Sequence, residues 1–351
     1  MCIYLSDNGE QCLKNAISKN INFCKIHVKG GCFNVIEGRT SYDNYIKLFN
    51  QNIEFSNIKY VCGPYKYYQF DIGDSKFTLF GENHRNVAYG DINNSLPFAL
   101  YLKSLIQINP SIDFYLEYDF IDINRPNHRN FTRTLNIINL NLIYDTFSEW
   151  LQLKKIDSKF RAHYVDYRYV FPELNRFKLL EERIINNSKP SKHTIADTLS
   201  PSSYVSYIDK IIEFIHTDRK LQKEIKSSSI SNEIELFIND SYIELIDMYI
   251  KLSPKQYIKI FDVQHRDMVL RTIKLFNIAT SMVMDVYALA RMFKTQHMDS
   301  SKSRNKIFYG GLAHCDIYKT FITKYLRVNG IGSECKLGQC LDVSKIEYHW
   351  D

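Results

Sequence analysis

Two stretches of the chain each place a histidine three residues beyond a glycine, where an apolar strand reads as ending. They are Phe77-Thr78-Leu79-Phe80-Gly81-Glu82-Asn83-His84 and Ile307-Phe308-Tyr309-Gly310-Gly311-Leu312-Ala313-His314. Glycine lets the backbone turn tightly and leaves room for an imidazole. Between them, Ile112-Asp113-Phe114-Tyr115-Leu116-Glu117 is an apolar strand closing on a carboxylate, with Asp119 two residues on. Sites in α/β sheets lie beyond the carboxyl ends of strands, so His84, His314 and Glu117 are predicted to meet at one sheet edge. Two imidazoles and a carboxylate suit a first-row divalent metal with open positions, and such an ion lowers the pKa of its bound water to about 7. In that scheme Glu82 is the base or an orienting group behind the ligands. In a metal-free scheme His84 deprotonates water, Glu82 and Glu117 orient it, and Arg266 stabilises the oxyanion. Both schemes hydrolyse an ester or amide in a small molecule or peptide. The competing reading is a non-catalytic protein that keeps a degenerate pocket of this kind for a ligand or for partner docking.

Elements able to position these groups are legible. Tyr65 to Ile72 and Lys76 to Phe80 read as a hairpin around Gly73-Asp74. A helix over about 96–108 and the Glu117 strand follow, predicting a parallel strand-helix-strand unit with a right-handed crossover. Another short strand is expected at 162–166. Residues 171–298 read as a helical insertion in which Ile234, Phe237, Ile238, Tyr242, Leu245 and Tyr249 share one helix face. One helix carries Gln264-His265-Arg266-Asp267-Met268, and a further apolar helix over about 278–293 contains Asp285, which needs a partner if buried. A late strand at 306–309 leads to the second Gly-x-x-His and then to a helix from about Asp316 to Leu326. The predicted class is α/β: a central, mainly parallel sheet over residues 60–351 with the helical insertion.

A second chemical cluster lies in the first 27 residues, where Cys2, Cys12, Cys24 and His27 form Cys-x9-Cys-x11-Cys-x2-His. Zinc binds four such ligands tetrahedrally and supplies folding energy that a segment this short lacks. A zinc-stabilised module over residues 1–35 is expected, with Cys32 as a spare ligand and a protein partner as its docking target. Weaker candidates are the basic loop at 124–134 with Arg125, His128, Arg129 and Arg133, the histidines His163 and His265, and Cys315 as a nucleophile beside His314. A satisfied structural role is the more favoured reading of each histidine.

Composition bounds these readings. The 351 residues allow one or two domains, and 45% apolar with 24% charged residues is ordinary for a globular chain. A net charge of +6 is too dilute for the basic field of a nucleic-acid protein, so that partner is not expected. The 25 Tyr and 22 Phe beside 2 Trp read as packing material under a coding bias. No apolar run suits a membrane helix and the first residues lack a secretory pattern, so an intracellular, cytoplasmic location is expected, or a virion if the source is viral. In such a reducing setting the 8 cysteines are expected as thiols or metal ligands.

The paired motifs resemble those of the TraB, TIKI, ChaN and erythromycin-esterase-like superfamily. Gly81-Glu82-Asn83-His84 is similar to its GE-x-H and GxxH forms, Phe114-Tyr115-Leu116-Glu117 to its strand ending in Glu, and Gly311-Leu312-Ala313-His314 to its second GxxH. Arg266-Asp267 resembles the Arg-Asp pair that precedes a long helix. The likeness spans about residues 65–330 and implies an α/β fold with a site at the paired histidines. Members include proposed metal-dependent peptidases, histidine-base esterases and haem-binding proteins, so the fold transfers further than the reaction. The esterase form has one more residue between Glu and His, which argues against macrolide esters. The N-terminal cluster resembles short zinc modules of some eukaryotic and large-virus proteins.

Overall fold

The computed structural model describes residues 33–34, 55, 58–83, 88–89, 95–108, 111–119, 143, 160–171, 173, 200–252, 266–294, 303–335 and 340–349. The chain forms two compact units, one of Met1–Tyr164 with Asp299–Asp351 and one of Val165–Met298. Strands among the described residues are β1 (Phe33–Asn34), β2 (Tyr60–Cys62), β3 (Lys66–Ile72), β4 (Ser75–Glu82), β5 (Ala88–Tyr89), β6 (Ser95–Pro97), β7 (Ile112–Asp119), β8 (Phe160–Asp166), β9 (Asn305–Gly311), β10 (Ile331–Glu334) and β11 (Leu341–Asp342). Helices are α1 (Phe98–Gln107), α2 (Pro201–Thr217), α3 (Arg219–Lys226), α4 (Ser231–Leu252), α5 (Arg266–Met292) and α6 (Leu312–Lys324).

The protein has an α/β fold. Its main sheet has the order β10-β3-β4-β9-β7-β8 and is mixed: β9 runs parallel to both β4 and β7, while β3 is antiparallel to β4 and to β10. The hairpin forms as its turn residues predict, with Gly73 at φ +57° in a two-residue loop. The expected strand-helix-strand unit is present as β4, α1 and β7, but its two strands are not neighbours. The late strand β9 lies between them, placing Gly310-Gly311 beside both strand ends. Smaller sheets pair β11-β2-β6 and β1 with β5.

Alternation along the strands sorts side chains onto two faces. Phe80, Phe114, Leu116 and Tyr309 join the core under α1, where the Phe98 ring lies 4.3 Å from that of Tyr309 and 4.9 Å from that of Phe80. Each such ring contributes about 1.5–3 kcal/mol by burial. The other face receives α6, which follows β9 directly and packs on β3, β4 and β9. Gly81 makes this possible, because a Cβ there would stand 3.1 Å from the Leu312 backbone and 3.2 Å from the Cys315 Cβ.

The C-terminal residues close the first unit. Tyr348 and Tyr101 hydroxyls lie 2.8 Å apart, and Asn305 and His349 exchange two hydrogen bonds of 2.9 Å. Cys62 and Cys340 form a disulfide, which corrects for these two the expectation that the cysteines are thiols or metal ligands, while Cys315 and Cys335 are free thiols. The pair continues the antiparallel register of β2 and β11 by one step beyond Val61 and Leu341, bringing the two Cα atoms to 4.4 Å. The sulfurs come from residues separated by 278 positions, so spacing in sequence carried no signal of their meeting.

The second unit is helical. Ser200 caps α2 by accepting from the Ser203 N–H, with Pro201 at the first helical position, and Asp218 caps α3 through the Leu221 N–H. On α4, Ile234, Ile238, Leu245 and Tyr249 are buried as the periodicity requires. The two helices expected over 264–293 are one, α5, since no Gly or Pro interrupts residues 266–292. Within it, Val269–Met292 is long and apolar enough to cross a membrane by length and composition, with an 18-residue stretch of mean hydropathy 1.3, although 83% of that stretch is buried in the protein. It reads as a core helix. Glu224 is buried and paired with Arg291 and Lys294 from the end of this segment. Together they hold its carboxyl below the ordinary glutamate range against the upward push of burial.

Candidate active site at the strand ends

The second Gly-x-x-His does not sit in a loop. Gly311 is the N-cap of α6, so the helix begins at Leu312, earlier than the expected Asp316, and His314 lies in its first turn. The Gly311 N–H, one of the amide donors that a helix leaves unpaired at its start, donates to Glu117 Oε2. The other carboxylate oxygen, Oε1, lies 3.4 Å from His314 Nε2. Both side chains are buried, Glu117 at 7% and His314 at 7% exposure. The helix dipole adds to this arrangement, favouring a negative charge at the α6 N-terminus.

Gly310 supplies the space. A Cβ there would stand 2.7 Å from Glu117 Oε2 and 2.8 Å from the Glu117 Cβ, so a side chain would displace the carboxylate. The two consecutive glycines therefore divide the work: Gly310 admits Glu117, and Gly311 bonds it and starts the helix that carries His314.

Glu82 is placed differently. It is 2% exposed and ends β4 opposite Gly311, and it accepts a 2.6 Å hydrogen bond from the Tyr309 hydroxyl. Pleating puts Phe80, Glu82 and Tyr309 toward the α1 face, whereas Glu117 meets α6 on the other. Tyr309 is the participant that sequence reasoning passed over, having discounted aromatics as packing material. Its position two residues before Gly311 was the available signal.

Cys315 is fully buried. Burial first, then the charges of Glu117 and Asp316, push its thiol well above the ordinary range. That setting disfavours the thiolate a nucleophile needs. His163 stacks on Tyr115 with ring centroids 4.8 Å apart, and its Nε2 lies 3.2 Å from Asp113 Oδ1, which Arg161 Nε also bonds at 2.6 Å. This is an ion cluster at the opposite end of β7 from Glu117. Asp285 is buried within α5 in the second unit.

Several predicted groups lie outside the described residues: His84, the loop at 124–134, His265, and Cys2, Cys12, Cys24, His27 and Cys32. Arg266 begins α5 and Asp119 ends β7, without described side chains. Among the described residues no three His, Cys, Asp or Glu side chains gather into a metal-binding group. The two present nevertheless fit neighbouring ligands of one ion, since atoms each about 2.0–2.2 Å from a first-row metal stand about 3–3.5 Å apart. For a direct N–H···O hydrogen bond, 3.4 Å is long. A separate cleft of about 440 Å³ between α6 and β10 is lined by Lys66, Tyr68, Lys319 and Glu334 among others, and includes neither Glu117 nor His314.

No protein-family model matches the chain, and neither does any curated protein or solved structure.

Proposed function

We propose that the chain is a hydrolase of ester or amide bonds, acting at the strand ends through Glu117 and His314. The observation that carries this reading is the buried Glu117 Oε1 to His314 Nε2 spacing of 3.4 Å, with the second carboxylate oxygen held by the Gly311 N–H. A fixed carboxylate beside an imidazole at the carboxyl ends of parallel strands can orient a histidine base or hold a divalent ion. The motif resemblance supplies His84 as the third member and Glu82 as a supporting carboxylate; Arg266, which it would make the oxyanion donor, begins α5 in the second unit. A bound divalent metal would be held by Glu117, His314 and His84, and would supply an activated water. Glu117 sets the imidazole orientation, the Gly311 amide fixes Glu117, and Tyr309 fixes Glu82.

The proposal retains structural zinc at Cys2, Cys12, Cys24 and His27, in a module that docks a protein partner. Elemental analysis of full-length protein separates the parts. Two metal equivalents should fall to one in Cys24→Ser, and to one, from the other site, in His314→Ala. A screen of ester and peptide substrates at neutral pH should show turnover that Glu117→Gln and His314→Ala each reduce about 10²- to 10⁴-fold, the range for a lost acid-base group. Absence of turnover sensitive to these changes would leave the non-catalytic binding role.

A further inference from the structure

Helix α4 carries two apolar seams, and only one is buried. Among the described residues seven large apolar side chains are exposed, and three of these lie on α4: Leu236 at 57%, Ile243 at 61% and Ile250 at 65%. They recur at intervals of seven residues, with exposed Asn239 and half-buried Ile246 between them at the intermediate positions. Spacing of seven keeps a stripe on one side of a helix as it winds around another, and it is the seam pattern of a two-helix contact. From Leu236 to Ile250 the stripe runs about 21 Å, four turns.

The charges beside the seam select the occupant. Written as heptads with Leu236, Ile243 and Ile250 at the first position, the charged flanking sites are Glu235, Asp240 and Asp247, the other two being half-buried Tyr242 and buried Tyr249. Glu235 lies 4.0 Å from His216, and Asp247 lies 3.6 Å from Lys251. Such surface pairs are weak and leave the face acidic. The helix has five acids, Glu233, Glu235, Asp240, Glu244 and Asp247, against Lys251, on a chain whose net charge is +6. A second copy of α4 would set acid against acid: Glu235 faces Asp240 in a parallel pair, and Asp240 faces Asp247 in an antiparallel one. We infer that this face of α4 docks an amphipathic helix of a partner protein, apolar along its seam and flanked by Lys or Arg. Opposite charges at the flanking positions then specify the partner, as they do in paired helices generally.

The test uses full-length protein and three synthetic four-heptad peptides followed by fluorescence anisotropy. One has Ile/Leu seams flanked by Lys, one has the same seams flanked by Glu, and one has the Lys-peptide composition with the heptads scrambled. The Lys-flanked peptide should bind at least tenfold more tightly than either control. Ile243→Ser should weaken it at least tenfold with an unchanged far-UV circular dichroism spectrum, and Glu235→Lys with Asp247→Lys should transfer the preference to the Glu-flanked peptide. Equal binding of the scrambled peptide, no binding of the Lys-flanked one, or wild-type self-association that Ile243→Ser abolishes would each overturn the inference.

Discussion

Strand β7 carries a buried carboxylate near each end, and the two have opposite surroundings. Asp113 and Glu117 lie on the same face, four residues apart, and each has a histidine beside it. Asp113 receives both Nε and an Nη of Arg161, at 2.6 and 2.8 Å, and the His163 ring at 3.2 Å. Burial alone would raise its carboxyl pKa, but His163 and Arg161 together hold it below the ordinary aspartate range. Glu117 is held instead by a backbone amide and faces an imidazole at 3.4 Å. A guanidinium keeps its charge throughout the working pH range, so the Asp113 cluster is locked as an ion pair. An imidazole titrates near neutrality or binds a metal, so the Glu117 pair is suited to proton or metal chemistry. Similar residues on one strand thus stand in opposite settings, one locked in an ion pair and the other suited to the chemistry proposed above, and the second partner makes the difference.

Paired substitutions give the widest separation. Glu117→Gln should remove about 10²- to 10⁴-fold of turnover with little effect on unfolding, whereas Asp113→Asn should leave turnover within a few-fold. Asp113→Asn should instead cost about 3 kcal/mol in denaturant unfolding, at the low end for breaking a buried pair because Arg161 and His163 retain some access to water. If both substitutions affect the same quantity, the division between the two ends of the strand is wrong. Gly310→Ala sharpens it further. The added methyl strikes Glu117 and also the Phe308 ring at 2.6 Å, so about 1–3 kcal/mol of stability and most of the turnover should be lost together, while the Asp113 cluster is untouched. The smallest effect is in the acid limb of stability. Because the folded pKa of Asp113 is depressed, its contribution is fully present above the unfolded value of about 4 and is lost as pH falls through the folded one. Unfolding free energies between pH 5 and 2 should therefore decline less steeply in Asp113→Asn than in wild type.

Local pattern made much of this architecture legible. The Gly73 hairpin, the Glu117 strand, the buried stripe of α4 and the late glycine-ended strand follow from alternation, helical period and turn chemistry, all of which act over a few residues. Helix α6 starting at Leu312 was less visible, since glycine signals a turn and also serves as an N-cap. Only the tertiary structure decided that β9 inserts between β4 and β7, that Glu117 fits against Gly310, that Tyr309 bonds Glu82 and that Cys62 joins Cys340. Each depends on which strand lies beside which, across separations of 194 residues for Glu117 and Gly311 and 227 for Glu82 and Tyr309. The sequence by itself determined the residue types able to do chemistry and the strand ends that present them. Their pairing was left to packing, because long-range contacts are selected by the fit of whole faces, and no periodicity along the chain encodes that fit.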